Sequence, residues 1–134
     1  MPSSFLSDAT PHDAVVYLPY NPALDQASRE TGRRGAVHGG VYCLLADTAA
    51  WFASARARGR GAWPLTTNLS LDFVGPARGV ALQARARMQS STARVDKVHV
   101  EVMDVAASRT VARGTASFAV LRSRAAPNLA RAHR

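Results

Sequence analysis

Residues 41–55 read Val-Tyr-Cys-Leu-Leu-Ala-Asp-Thr-Ala-Ala-Trp-Phe-Ala-Ser-Ala, and this stretch decides the fold. Its apolar residues fall at Val41, Leu44, Leu45, Ala49, Phe52 and Ala53, the spacing of one helical face. The opposite side carries Tyr42, Ala46 and Ala50 in place of charges, so the helix is apolar nearly all round. Such a helix is expected to be the central, buried helix of the fold. It closes near the basic loop Arg56-Ala57-Arg58-Gly59-Arg60-Gly61, where glycine and arginine are stop signals. On its other side, Asn21 to Arg34 is polar with breakers at Gly32 and Gly35, and reads as a loop. Ala14–Leu18 before it reads as a short strand stopped by Pro19 and Pro22.

After Pro64 the period changes from helical to two. Leu69, Leu71 and Phe73 alternate with Asn68, Ser70 and Asp72, and Gly75-Pro76 ends the run. Three more such runs follow: 80–88 with Leu82, Ala84 and Ala86 inward, then Val98, Val100 and Val102 with His99 outward, then 111–121 with Phe118 and Val120 inward. The links at Gly79, Ser90-Ser91 and Ala106-Ala107-Ser108 are short, which favours antiparallel neighbours. The expectation is an α+β fold, one antiparallel sheet wrapped around a long central helix over residues 13–121. Residues 1–12 read as a flexible lead-in, and 122–134, rich in arginine and free of acid, as a disordered basic tail.

Composition narrows the function classes. The chain has 134 residues, room for one domain and one core. With 47% hydrophobic and 19% charged residues it is no disordered sequence. The net charge of +8 comes almost wholly from arginine, Lys97 being the only lysine, and arginines are spread along the chain. That spread, with Trp51, Phe52 and Trp63 in helix or turn and not on a stacking strand, argues against a nucleic-acid partner. Cys43 is the only thiol, which excludes an intrachain disulfide and a thiol-rich zinc site. No histidine pair has the spacing of a helical zinc site, so neither metal nor cofactor is expected. The N-terminus lacks the pattern of a secretory signal, and Asp47 interrupts the longest apolar run; a cytoplasmic protein without a membrane span is expected.

The chemistry centres on Asp47, the one carboxylate between Val41 and Ala55. A carboxylate on an apolar helix is costly to bury unless it is paired or used. It sits on a solvated strip, bonds a neighbouring backbone group as a structural acid, or is functional, and the lack of a polar face around it favours function. Just before the helix stands His38-Gly39-Gly40, whose glycines leave the first free N–H groups of the helix open to a developing anion. Gly39 and Asp47 are eight residues apart, about 12 Å along the axis, so one helix cannot bring both to a single carbonyl. A catalytic reading therefore requires two copies of the helix across a two-fold axis.

His38-Gly39-Gly40-Val41, then Asp47, then Thr66-Thr67-Asn68-Leu69-Ser70-Leu71-Asp72-Phe73 and Gly75-Pro76-Ala77, resembles the hotdog-fold acyl-CoA thioesterases. The branch it is most similar to is the phenylacetate-degradation type, and the resemblance runs from about Pro22 to Leu121. It implies the hotdog fold, a homodimer or homotetramer with sites at the interface, and hydrolysis of an acyl-CoA thioester to a carboxylic acid and free CoA. It implies that the Gly39 N–H polarises the thioester carbonyl, with Gly40 beside it, and that Asp47 of the other protomer activates water or attacks. Thr66 or Thr67 matches a hydroxyl that helps place the water or the acid. His38 is a candidate base, with a structural role at the loop preferred. Arg56, Arg58 and Arg60, with Arg78 and Arg94 near strand ends, suit the phosphates of CoA or a solvated face. The pattern departs at Gly32, where many members carry Asn or Gln. The alternative function is a non-catalytic hotdog module that binds an acyl or CoA ligand or serves as an assembly subunit.

Overall fold

The computed structural model describes residues 13–25, 35–78 and 80–122. The lead-in 1–12, Gly32 with its neighbours Arg33 and Arg34, the turn residue Gly79 and the tail from 123 lie outside the described residues. The elements are β1 (Ala14–Leu18), a 3-10 turn (Pro22–Leu24), α1 (Gly39–Arg58), β2 (Ala62–Phe73), β3 (Leu82–Ser91), β4 (Val95–Asp104) and β5 (Arg109–Arg122). The strands form one antiparallel sheet in the order β1-β3-β4-β5-β2, with α1 packed across one face. This is the expected hotdog arrangement.

Strand parity builds the core. Leu82, Ala84 and Ala86 of β3, Val98, Val100 and Val102 of β4, and Ala112, Ala116 and Phe118 of β5 are all buried. Against them lie Leu45, Ala46, Ala49, Ala50 and Ala53 of α1, also buried. Alanine on the contact face lets the helix axis approach a sheet surface lined by valine, and close packing follows.

Two features of β2 shape what comes next. It is an edge strand, which is why Pro64 can sit inside it without breaking a ladder, and it starts at Ala62, ahead of Pro64. Its register against β5 shifts between Thr66 and Asn68, leaving Thr67 as the extra residue of a bulge. Inward positions thereby switch from even (Pro64) to odd (Leu69, Leu71). Further along, β5 presents Gly114 opposite Leu71, and a Cβ there would land on the Ser70 carbonyl oxygen, so only glycine allows β2 to cross so closely.

The helix differs from expectation in extent and in burial. It begins at Gly39 and takes in Arg56 and Arg58 before Gly59 caps it at φ 75°. Nor is it enclosed: Leu44 is 68% exposed and Phe52 46%, with Asp47, Thr48 and Trp51 partly exposed between them. The sheet covers one side of the helix only, and the largely apolar strip on the other side stays open.

Candidate active site

Asp47 is partly exposed, at the border between the open strip and the buried face of α1. Thr66 Oγ1 donates to Asp47 Oδ1 at 2.8 Å, joining α1 to the edge strand. The bulge separates the two threonines the motif offers. Thr66 meets the carboxylate, whereas the Thr67 hydroxyl donates to the Ser117 carbonyl at 3.1 Å and belongs to the sheet.

At the other end of α1, His38 is the N-cap residue. Its Nδ1 accepts from the Gly40 N–H at 2.9 Å, and its carbonyl accepts from the Val41 N–H at 2.9 Å. Since Nδ1 is the acceptor, a neutral His38 ring carries its proton on Nε2. His38 thus ties the loop, and it occupies the N–H of Gly40. The Gly39 N–H has no partner among the described residues and points from the positive end of a 20-residue helix. A Cβ at Gly39 would meet Phe73 at an ordinary 3.5 Å, so crowding within the chain does not explain the glycine. At Gly40 a Cβ would press on the His38 ring at 3.0 Å.

The corner is held from both sides. The His38 N–H donates to the Leu24 carbonyl (3.0 Å) and the Val37 N–H to the Ala77 carbonyl (2.8 Å). The Ala77 N–H in turn donates to the Tyr42 hydroxyl at 2.9 Å. Burial is the main cause that pushes the Tyr42 phenol above its ordinary value, and it stays a neutral pin between α1 and the loop after β2.

The arginines divide. Arg58 is engaged with Asp96, its Nε 3.1 and 3.2 Å from the two carboxylate oxygens, and it also donates to the Thr92 carbonyl. Arg56 donates to the Asp13 carbonyl at 3.0 Å. Arg60, Arg78 and Arg94 are exposed. Asp96 itself is fully buried and also accepts from Ser54 and Ser91, each at 2.6 Å. Sequence reading missed this cluster, although the inward parity of Val98, Val100 and Val102 extends back to position 96 and signals a buried acid.

Asp47 with Thr66 can activate a water, and the Gly39 N–H can hold an oxyanion. Both groups are present, but eight helical residues keep them about 12 Å apart in one chain.

The description "Thioesterase superfamily" belongs to the family model that matches residues 34–111. A Bacillus halodurans protein solved with CoA is 33% identical, with 82% of this chain and 68% of that one covered at a TM-score of 0.72. A variant of the phenylacetic acid degradation protein PaaI from Thermus thermophilus is 26% identical, covering 84% and 88% at 0.69. A Haemophilus influenzae thioesterase at 16% identity covers 82% and 72% at 0.73, and shares the fold. No curated protein matches the chain. Among the described residues no helix is long and apolar enough to cross a membrane.

Proposed function

The chain belongs to the thioesterase superfamily, and from that premise we propose that it is a cytoplasmic acyl-CoA thioesterase of the phenylacetate-degradation type, working as a homodimer or a pair of dimers. The observation that carries this reading is Asp47, the only acid of α1, held by Thr66 at the border of the open strip. Asp96 shows what a structural acid looks like here, enclosed by its partners; Asp47 is partly exposed, one turn from exposed Leu44.

In the proposed reaction the thioester carbonyl oxygen lies on the Gly39 N–H of one protomer, and Asp47 of the other takes a proton from water. The hydroxide adds to the carbonyl carbon, and the tetrahedral oxyanion is held at the positive helix end. Collapse breaks the C–S bond, and the CoA thiolate leaves and takes up the proton. Two antiparallel copies of α1 bring these groups together, with the open strip as the contact between them. Arg60 and Arg94, free of the bonds that occupy Arg56 and Arg58, are proposed for the CoA phosphates. The CoA-bound relative at 33% identity supports that ligand class.

The test is thiol release from a panel of acyl-CoA esters. Asp47→Asn is expected to lower turnover by roughly 10²–10⁴, the contribution of a general base, with the fold intact. Near-normal turnover in a folded Asp47→Asn protein refutes the assignment, and CoA binding with no turnover by the unaltered chain points to the non-catalytic module.

A further inference from the structure

We infer that Trp51 is a positioning residue for the base, an inference that rests on the reading of Asp47 given above. Trp51 follows Asp47 by four residues, one turn along the same side of α1. Its indole Nε1–H donates to the Pro64 carbonyl at 2.9 Å. Pro64 precedes Thr66 by two residues, and Thr66 donates to Asp47 at 2.8 Å. Four helical residues rise about 6 Å and two strand residues about 6.7 Å. The near equality makes two parallel rungs between helix and strand, one beside the carboxylate and one a turn away.

The second rung matters because of where it is placed. Within one chain β2 is the edge of the sheet, bonded to β5 alone, and the bulge at Thr67 interrupts that ladder next to Thr66. A displacement of the strand by 1 Å would take the Thr66–Asp47 bond out of hydrogen-bonding range. The indole is itself fixed by edge-on contacts with Phe52 (centroids 5.4 Å apart) and Trp63 (5.8 Å). Trp51 therefore transmits a rigid helix-to-strand spacing to the hydroxyl that holds the base, without touching the reacting atoms.

Trp51→Phe keeps an aromatic ring and removes the donor. The expected result is a kcat about 3- to 10-fold lower, the span of one lost hydrogen bond, with KM for the CoA ester unchanged. In a Thr66→Val background the same substitution is expected to change kcat no further, because the bond it protects is already gone. Independently of activity, the Trp51 indole proton should exchange with solvent more slowly than that of Trp63 in nitrogen-labelled protein. Wild-type kcat in Trp51→Phe, losses that multiply with those of Thr66→Val, or equal exchange of the two indole protons each overturn the inference. Asp47→Asn is measured alongside: if it is inactive while Trp51→Phe is normal, the Trp51 inference alone fails; if it turns over normally, the reading of the site fails first.

Discussion

Asp96 and Asp47 are the same residue in opposite circumstances. Asp96 is enclosed, and burial by itself would push its carboxyl up; hydrogen bonds from Arg58, Ser54 and Ser91, with the Arg58 charge, outweigh that and hold it below the usual range. Its folded value thus lies below the unfolded one of about 3.9, so the cluster stabilises fully above about pH 5 and loses its effect as pH falls through 4 and on through the folded value. Asp96→Asn should cost about 3 kcal/mol at pH 7, because Arg58 loses its counter-charge. Urea midpoints at pH 7, 5 and 3 check this: the wild type should weaken between pH 5 and 3, and the variant should show a shallower fall. Parallel curves for the two proteins would remove Asp96 as the cause. Asp47 has one hydroxyl and is partly exposed, which is why it, and not Asp96, is the acid proposed as the base.

At the scale of the helix, α1 uses its two ends differently. The N-terminus spends the N–H of Gly40 and Val41 on His38 and leaves that of Gly39, while the C-terminus spends Arg56 and Arg58 on Asp13 and Asp96. Simultaneous Arg60→Ala and Arg94→Ala should raise KM for CoA esters several-fold and spare a short thioester that lacks the nucleotide, since phosphates bind far from the reacting carbon. Arg58→Ala should lower the urea midpoint instead. Steady-state kinetics on both substrates separate these outcomes. A KM unchanged from wild type on both substrates in the Arg60/Arg94 variant would show those arginines to be a solvated face.

At the scale of the molecule, the 12 Å between Gly39 and Asp47 has a consequence that single variants cannot reveal. Gly39→Pro removes the N–H, and the site tolerates it: position 39 opens the helix, where proline is accepted, and His38 already has the extended backbone (φ −59°, ψ 135°) that precedes proline. Asp47→Ala removes the base. Each protein alone should be inactive, yet after subunit exchange a mixed dimer retains one site with both groups. With random exchange about half of the dimers are mixed, so about a quarter of wild-type activity should return. No recovery after exchange is demonstrated would refute the composite site.

Periodicity in the sequence was enough for the helix, the four later strands and their inward faces, because burial repeats every 3.6 or two residues whatever the surroundings. The lone Asp47 and the His38-Gly39-Gly40 corner were legible too, from charge on an apolar face and from the glycine pair ahead of the helix. Which threonine meets Asp47 was not, since a bulge at Thr67 changes the side of the strand and leaves no local mark in the pattern. The fate of the arginines was likewise hidden: Arg58 and Asp96 are 38 residues apart and meet only when β4 lies against the end of α1. The same holds for Trp51 and Pro64, whose bond depends on an edge strand passing one helical turn beyond the base. Short-range spacing determined the elements and the candidate acid; contacts between residues distant in the chain, which only the packed sheet and helix bring together, decided which side chains are spent on the fold and which stay open for chemistry.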